Sequence, residues 1–308
     1  MSTKLRTCAA ALAALCIVAL TPIAASATFP GDNGRIILNR GSFENPTFLI
    51  SMEPDGSDVT RLTGEGRNAF GASWSPDGSR FIYSRFNLDG TVDLFMRDAD
   101  GSNPTRVTDN NRDEFSVAFG PDGNQAVYQK CGLRCDLFII DLTTLTETKV
   151  TDTPRADEFS PEWSVDDVIV YDRTHRGGDV EVFSIEPNGA NQTQLTDNQG
   201  QQDVSASWSP DGEAIVYSRC GRASDCDLFT MNANGSGKSR LTNTNNANEF
   251  DAKFSPDGLL FVFTRTRNET DSELMRMRTN GSRLRRLTDT PNKFEVDADW
   301  QPIVKSGE

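Results

Sequence analysis

The side chains with the clearest chemical pattern are charged, and they recur at three registered positions along the chain. A basic residue ends each of six apolar segments, at Arg40, Arg85, Lys130, Arg173, Arg219 and Arg265. An acidic residue begins most of the segments that follow, at Asp93, Asp136, Glu181, Asp227 and Glu273. Further acidic residues stand five positions before a recurring aromatic residue, at Glu114, Glu158, Asp203, Glu249 and Glu295. We expect the three positions to meet around one mouth of the fold, as a ring of ion pairs that sets register or as a charged funnel that binds a peptide tail, a sugar acid or a cation.

Catalytic motifs are sparse. His175 is the only histidine and lies in a polar loop, which disfavours a metal site built from several imidazoles. The chain has no Gly-x-Ser-x-Gly elbow, and Gly237-Lys238-Ser239 lacks the glycine that a phosphate-binding loop needs at position 232. The sequence therefore predicts no cofactor and no recognisable catalytic set. The enzymatic alternative is a hydrolase or lyase acting on a carbohydrate, with Glu114, Glu158 or Glu249 supplying acid–base chemistry.

Four cysteines beyond residue 27 form two matched pairs. Cys131 and Cys135 flank a turn between two apolar segments, and Cys220 and Cys226 flank the corresponding turn two repeat units later. In an oxidising compartment this pattern predicts two local disulfides. A zinc site made by all four thiolates is the alternative, but a whole unit separates the pairs, so the four sulfurs cannot reach one ion.

The elements that position these residues belong to a repeat of about 45 residues. Its aromatic marker is spaced by 45, 44, 45, 46 and 46 residues, at Trp74, Phe119, Trp163, Trp208, Phe254 and Trp300. A second marker, an aliphatic residue followed by threonine, keeps step at Leu62, Val107, Val150, Leu195, Leu241 and Leu287. Self-similarity at such a period indicates a repeat fold of six units.

Each unit contains four short predicted strands. Ser75-Pro76-Asp77-Gly78 follows the first aromatic marker, and similar tetrapeptides occupy 120–123, 209–212 and 255–258. Proline fixes φ and glycine accepts positive φ, so each tetrapeptide predicts a tight turn. The next segment, such as Phe81-Ile82-Tyr83, is apolar without alternation, which is typical of a strand buried on both faces. Six four-stranded units of this kind predict an all-β, six-bladed β-propeller.

The two ends of the repeat are incomplete in complementary ways. Residues 294–300 supply an innermost strand with no unit after it, whereas residues 35–62 supply three outer strands with almost no innermost strand before them. We expect the last strand to complete the first blade and close the ring. An open β-solenoid, in which the terminal unit stays separate, is the alternative.

These motifs resemble a known family. The turn Trp-Ser-Pro-Asp-Gly at 74–78, the strand Asp-Leu-Phe at 227–229 and the ending Arg-Leu-Thr at 240–242 are similar to the TolB-type propeller repeat, over residues 29–302. The turn departs from the pattern at 163–167 and at 300–302. The resemblance implies a propeller that presents a binding face. We expect neither the α/β domain of TolB nor the hydrolase domain of prolyl-oligopeptidase-like enzymes, so the partners of TolB are not carried over.

Residues 1–27 have the organisation of an export signal. Lys4 and Arg6 precede an apolar stretch at 8–20, and Ala25-Ser26-Ala27 is a small-residue cleavage site. Cleavage after Ala27 leaves a propeller domain at 28–308. The alternative, a retained membrane helix, is disfavoured because the stretch is short and Pro22 interrupts its end. The sequence predicts a secreted or periplasmic protein that is not embedded in the membrane.

Charge and the lack of a catalytic set together predict a binding module. The formal net charge is −14, and it becomes −16 when Lys4 and Arg6 are removed with the signal. Such a surface disfavours nucleic acid and anionic lipid as partners and favours basic ones. We therefore expect the channel mouth to bind a protein, a peptide or another cell-envelope component. Stabilisation by Ca²⁺ through loops 109–111 and 197–198 is a further alternative, without an EF-hand pattern.

Overall fold

The computed structural model describes residues 28–42, 45–64, 68–174, 178–221, 226–267 and 272–304, with the backbone alone at Asn45. The predicted export signal and His175 lie outside the described residues. Within this part of the chain, no helix is long and apolar enough to cross a membrane. Its regular structure is a series of β-strands: β1 (Asp32–Ser42), β2 (Asn45–Met52), β3 (Thr60–Arg61), β4 (Ala69–Trp74), β5 (Arg80–Phe86), β6 (Val92–Asp98), β7 (Thr105–Arg106), β8 (Asp113–Phe119), β9 (Gln125–Cys131), β10 (Cys135–Asp141), β11 (Glu147–Lys149), β12 (Glu158–Trp163), β13 (Ile169–Thr174), β14 (Val180–Ile185), β15 (Thr193–Gln194), β16 (Gln202–Trp208), β17 (Ala214–Cys220), β18 (Cys226–Asn232), β19 (Ser239–Arg240), β20 (Asn248–Phe254), β21 (Leu260–Thr266), β22 (Ser272–Arg278), β23 (Arg285–Arg286) and β24 (Phe294–Ile303).

The strands form six four-stranded antiparallel sheets, which are the blades. Blade 1 has the order β24-β1-β2-β3, and blades 2 to 6 use β4–β7, β8–β11, β12–β15, β16–β19 and β20–β23 in chain order. The first strand of every blade contacts the first strands of the blades on either side, in a closed cycle from β24 through β4, β8, β12, β16 and β20. The predicted six-bladed β-propeller is confirmed.

The ring closes in blade 1, as the mismatched ends predict. The carboxyl-terminal strand β24 pairs with β1, with Trp300 opposite Ile36 and Glu295 opposite Arg40. The Asp-Gly turn of blade 1 then packs against blade 6, so closely that a Cβ added at Gly56 would lie 2.5 Å from the Leu287 carbonyl oxygen. An open solenoid would leave these surfaces unpaired.

The hydrophobic core lies mainly between blades. One cluster joins Ile36, Leu38 and Trp300 of blade 1 to Val262 and Leu274 of blade 6, and similar clusters fill the other inter-blade spaces. All six aromatic markers are buried in these clusters. Each sheet is therefore apolar on both faces, which explains why the second strands lack alternation.

The two ends of the propeller differ in their connections. One end, the turn end, carries the turns after the first and third strands of each blade. There the Gly78 N–H donates to the Ser75 carbonyl oxygen at 2.8 Å, and Gly78 has a φ of 66°. In blade 4 Asp167 takes this position with a φ of 62°, and its carboxylate accepts a hydrogen bond from the Trp163 indole. The other end, the loop end, carries the loops between second and third strands and the links between blades.

Each innermost strand contains a β-bulge that the sequence analysis did not predict. The pairing with the second strand shifts register in every blade, three residues before the aromatic marker. The residue there has a positive φ of 51–64° in all six copies: Gly71, Ser116, Ser160, Ser205, Asp251 and Asp297. A bulge bends the strand and redirects its side chains, and five of the six residues at this position are serine or aspartate.

Candidate functional site

The charged ring comprises the six basic residues that end the second strands and the five acidic residues that begin the first strands. Five blades hold a cross-strand pair in direct register, with nitrogen–oxygen distances of 2.5 Å (Arg40–Glu295), 3.7 Å (Lys130–Glu114), 3.5 Å (Arg173–Glu158), 2.7 Å (Arg219–Asp203) and 2.5 Å (Arg265–Glu249). The five carboxylates are fully buried, whereas most of the basic side chains are partly exposed. The positions are thus brought together at the loop end as expected, and a role in ligand binding stays a prediction.

Blade 2 departs from this pairing. Ala69 stands opposite Arg85 where the other blades have an acidic residue. The Arg85 guanidinium instead lies over the ring of Phe95, 3.4 Å from its centroid. A similar stacking adds to the ion pair in blade 5, where Arg219 lies 4.5 Å from the centroid of Phe229. Contact with an aromatic face supports a partly desolvated cation.

The acidic residues that begin the third strands face outward along the same blades. Asp93, Asp136 and Asp227 pair with basic residues of the outermost strands, Arg106, Lys149 and Arg240, at 2.5, 3.1 and 2.5 Å. Glu181 and Glu273 accept hydrogen bonds from Thr196 at 2.5 Å and Thr288 at 2.8 Å. Three of the five carboxylates are thus matched by a basic residue and two by a threonine hydroxyl, and all five contacts tie the third strand to the fourth strand or to the residues just after it.

The threonine of the second marker links the outer strand to the third strand and, in two blades, to an acidic residue of the charged ring. In every blade its hydroxyl accepts a hydrogen bond from a third-strand N–H fourteen residues earlier, at 2.9–3.0 Å, in the pairs Leu49–Thr63, Leu94–Thr108, Leu137–Thr151, Val182–Thr196, Leu228–Thr242 and Leu274–Thr288. In two blades the same hydroxyl donates to the acidic residue of the next blade, from Thr108 to Glu114 and from Thr151 to Glu158. The threonine of the marker therefore holds the fourth strand to the third by a hydrogen bond as well as marking the strand end.

Burial raises the pKa of two carboxyl groups in the charged ring. Removal from water raises the pKa of Glu114 to about 7, against the opposing effects of hydrogen bonds from Asn110 and Thr108 and of the nearby Lys130 ammonium. Burial raises the pKa of Glu158 in the same way, against hydrogen bonds from threonines and the charge of Arg173. A pKa of about 7 at Glu114 suits proton transfer near neutral pH, but the carboxyls of Glu114 and Glu158 are both fully buried and do not face solvent.

A second set of polar residues lines the axis, and the sequence analysis missed it. The channel residues stand three and one positions before each aromatic marker, and all but Gly71 and Ala118 are polar: Gly71, Ser73, Ser116, Ala118, Ser160, Glu162, Ser205, Ser207, Asp251, Lys253, Asp297 and Asp299. The Lys253 ammonium of blade 6 lies 3.3 Å from the Glu162 carboxylate of blade 4, so this pair spans the axis past blade 5. Ser207 donates to the other Glu162 oxygen at 2.9 Å.

Carboxyls outnumber cations among the channel residues. Burial raises the pKa of Glu162 to about 8, because loss of hydration outweighs the opposing charge of Lys253 and the hydrogen bond from Ser207. Burial raises the pKa of Asp251 to about 6, beside Ser205 and Asp297. Asp172, on β13 next to the bulge of blade 5, accepts a hydrogen bond from the Ser205 N–H at 2.9 Å, and burial raises its pKa to about 8. These side chains do not repeat from blade to blade, so only their offset from the marker could have revealed them.

Solvent-exposed apolar side chains mark one sector of the loop end. Leu88 is 89% exposed in the loop of blade 2, and Leu133 is 99% exposed in the corresponding loop of blade 3. Phe86 is partly exposed and its ring centroid lies 5.6 Å from that of the buried Phe70. We call Phe86, Leu88 and Leu133 the apolar loop patch. Its members lie on the same end of two neighbouring blades.

The loop that carries Leu133 is fixed at its base. Cys131 and Cys135 form a disulfide, as do Cys220 and Cys226, which confirms both predicted pairings. Asp157 of the next inter-blade link accepts hydrogen bonds from the Cys135 N–H at 2.9 Å and the Arg134 guanidinium at 2.8 Å. A loop of three residues between bridged cysteines therefore presents Leu133 in a defined position.

The loops considered for Ca²⁺ are occupied by other partners. Asp109 pairs with Arg106 at 2.9 Å, and Asn198 donates to Asp203 at 2.5 Å. A depression of about 340 Å³ is lined by Gln194, Leu195, Thr196, Asp197, Asn198 and Lys238. In the part of the chain that the structure describes, no three His, Cys, Asp or Glu side chains are grouped so that they could hold a metal ion.

Together these features define a closed six-bladed β-propeller with paired charges at its loop end and an acid-rich axis. A sequence model described as the TolB beta propeller domain matches residues 86–302. The chain belongs to the TolB β-propeller family, as the repeat motifs indicate. A search of curated proteins gave no match.

Solved structures share the fold at low sequence identity. TolB from Acinetobacter baumannii is 20% identical with a TM-score of 0.75, over 89% of this chain and 68% of that chain. Hydrazine synthase from Kuenenia stuttgartiensis is 12% identical with a TM-score of 0.75, over 89% of this chain and 47% of that chain. An oligogalacturonate lyase from Vibrio parahaemolyticus is 16% identical with a TM-score of 0.58, over 86% of this chain and 77% of that chain. Both enzymes and TolB therefore use this architecture, and the fold alone does not select among their roles.

Proposed function

We propose that the protein is an exported binding module that docks a protein or peptide on its loop end. The observation that carries the proposal is Leu133, a leucine that is 99% exposed on a loop closed by the Cys131–Cys135 disulfide. Keeping such a side chain in water forgoes about 1.5–3 kcal/mol of burial free energy, and a rigid loop lowers the entropy cost of binding. Leu88, 89% exposed in the corresponding loop of the neighbouring blade 2, supplies a second exposed leucine at the same end.

Charge favours a partner segment that is basic as well as apolar. Asp89 adjoins Leu88 in the loop of blade 2, and Asp109 and Asp152 lie in the inter-blade links at the same end, each paired with one basic residue, Arg106 and Lys149. The whole chain is also strongly acidic. Complementary charge steers association and selects partners. In this proposal the partly exposed basic residues of the charged ring supply polar contacts at the mouth, and their buried acidic partners fix those side chains in place.

Two disulfides support the export part of the proposal. Disulfides persist in oxidising compartments, and the described residues contain the bridges Cys131–Cys135 and Cys220–Cys226. With the signal-like residues 1–27, these features support a secreted or periplasmic location after cleavage near Ala27.

A capture experiment with matched leucine variants tests the docking surface. The mature protein, the double variant Leu88→Asp/Leu133→Asp and the control Leu259→Asp are each cross-linked in an envelope extract. Leu259 is also well exposed but lies at the turn end, so its variant carries the same chemical change on the opposite face. We expect wild type and control to capture the same cross-linked species and the double variant to lose it at least tenfold. Equal capture by all three proteins contradicts the proposal.

The alternative, a carboxylate-dependent hydrolase or lyase acting on carbohydrate, has less support. Its candidate residues Glu114, Glu158 and Glu249 are fully buried and each is bound by a basic side chain of its own blade. A screen of glycoside and lactone substrates tests it, with the variant Glu114→Gln as control. Turnover above background that the substitution abolishes would favour the enzyme over the binding module.

A further inference from the structure

The segment that precedes β1 is held against blade 6. The Thr28 hydroxyl lies 3.5 Å from the Phe254 carbonyl oxygen, and the Gly31 N–H donates to the Pro256 carbonyl oxygen at 3.3 Å. Asn33 and Asp257 exchange two hydrogen bonds, at 2.8 and 3.1 Å. Since Phe254 ends the innermost strand β20, these contacts place residues 28–33 at the turn end of the propeller, beside the axis.

The same segment reaches the opposite side of the ring. Phe29 is 3% exposed and belongs to the core cluster of blades 2 to 4, which contains Ala118, Phe119 and Trp163. Blade 3 lies opposite blade 6 in a six-bladed ring. A segment that bonds to blade 6 at Thr28 and Gly31 and buries its aromatic ring in the cores of blades 2 to 4 must cross the axis. We call residues 28–31 the amino-terminal plug.

The plug ends next to the acid-rich part of the axis. Phe254, the partner of Thr28, directly follows Lys253, whose ammonium lies 3.3 Å from Glu162. Among the described channel residues, Glu162, Asp251, Asp297 and Asp299 are acidic and Lys253 is the one cation. Thr28 is 1% exposed. A positive charge at this position would lose hydration, and the carboxylates among the channel residues are the groups that would offset that loss.

We propose that the Ala27–Thr28 bond is the maturation site and that the new amino terminus is a built-in ligand of the channel. Hydrolysis of this amide by an export endopeptidase consumes one water and yields the Ala27 carboxylate and the Thr28 ammonium. The Thr28 ammonium then becomes the second cation among the channel carboxyls, and Phe29 seals the turn end. This inference rests on the export part of the proposed function and not on the docking surface.

Three forms of the propeller test the inference. The first begins at Thr28, the second carries Gly-Ser before Thr28, and the third begins at Thr28 with Phe29→Ala; a form with Gly-Ser after Glu308 is the control. We expect the amino-terminal extension and Phe29→Ala each to lower the Tm by at least 2–4 °C and the control to leave it unchanged. An extended protein with the Tm of the first form overturns the inference.

Labelling of the terminal amine and mass spectrometry give independent readouts. In the form that begins at Thr28, we expect an acylating reagent to modify the α-amine at least tenfold more slowly than that of the extended form, with an apparent pKa above the ordinary 7.7–8.0 of an α-amine. Mass spectrometry of the full chain expressed with its own signal should find Thr28 as the first residue. A different mature terminus, or an amine as reactive as that of a free peptide, overturns the inference. The capture experiment with Leu88→Asp/Leu133→Asp is unaffected by these outcomes, so a failure of the plug and a failure of the docking surface are distinguishable.

Discussion

Several carboxyl groups of this protein are buried with few cations nearby, and their pKa values are raised as a result. Burial raises the pKa of Glu114 to about 7, of Asp251 to about 6, and of Glu162 and Asp172 to about 8. The folded state therefore holds protons that the unfolded chain, with carboxyl pKa values near 4, has already released. A residue that binds a proton more tightly in the folded state stabilises the fold most at low pH.

The free energy of unfolding should consequently fall as pH rises. For each of these groups the stabilisation is fully present below about pH 4 and is lost as pH passes through the folded pKa, between about 6 and 8. Urea unfolding at several pH values from 4.5 to 8 measures the slope. Glu114→Gln should make it shallower by up to about 1.4 kcal/mol per pH unit between pH 4.5 and 7, the effect of one proton.

Asp89→Asn is the control for this prediction. Asp89 lies on the surface of the loop end, and its pKa is lowered because Thr91 donates hydrogen bonds to it. Its replacement removes a group that acts in the opposite sense, so it should not make the slope shallower. A free energy of unfolding that rises from pH 5 to 8 in the wild-type protein would show that the buried carboxyls stay ionised.

The sequence analysis identified the charged residues that recur from blade to blade and missed those that occur in a single blade. Arg173 and Glu158 were identifiable because all six blades have a basic residue at the first position and five have an acidic residue at the second, and their register makes them cross-strand partners. Glu162 and Lys253 stand at equivalent positions of two blades where other copies have serine, alanine or aspartate. A contact across the axis joins residues 91 positions apart, and no local pattern encodes it.

The strands and turns followed largely from local chemistry. Positive φ at Gly78, Gly123, Gly212 and Gly258 matches the glycine of each Pro-Asp-Gly turn. The innermost-strand bulge was not predictable in this way, because serine occupies its left-handed position in three blades and aspartate in two. Serine rarely adopts positive φ, and aspartate, although enriched there, adopts it only in a minority of cases. The outer strands are only two or three residues long, and such short edges limit pairing with other chains.

The disulfide-closed loops give the prediction at the scale of the element. Replacing Cys131 and Cys135 by serine should lower the free energy of unfolding by about 2 kcal/mol, because the bridge restricts the unfolded chain. It should also weaken partner capture, since the loop that presents Leu133 loses its covalent base. Denaturant unfolding and the cross-linking experiment measure the two effects.

The second bridge serves as the matched control. Cys220→Ser/Cys226→Ser removes a disulfide at the same position of blade 5, away from the apolar loop patch. We expect a similar loss of stability and unchanged capture. If both double variants lose capture equally, the effect comes from general destabilisation and the loop of blade 3 has no special part in binding.

For the whole molecule, closure of the ring is the step that joins the two ends of the chain. The incomplete terminal units predicted it, and the pairing of β24 with β1 confirms it. The plug could not be predicted, because Thr28 and Phe29 belong to no repeat and their neighbours, Phe254 and the cores of blades 2 to 4, are distant in sequence. The repeat therefore predicts the blades and the strand that completes blade 1, whereas the contacts of the plug involve residues that occur only once in the sequence.

Truncation tests whether stability depends on that closure. Trp300 is buried between blades 1 and 6, so Trp300→Ala should cost about 3–5 kcal/mol. We expect Trp163→Ala, a buried marker in the interior blade 4, to cost a similar amount, because in a closed ring no blade is terminal. Deleting residues 292–308 should do more, since it exposes an edge of β1 and the facing surfaces of the neighbouring blades, and aggregation is the expected result. Thermal unfolding beside the full-length protein measures all three variants. If the blades formed an open array, deleting the last strand would disorder only the terminal unit. A soluble truncated protein with a nearly unchanged Tm would therefore contradict a closed ring whose stability depends on its last strand.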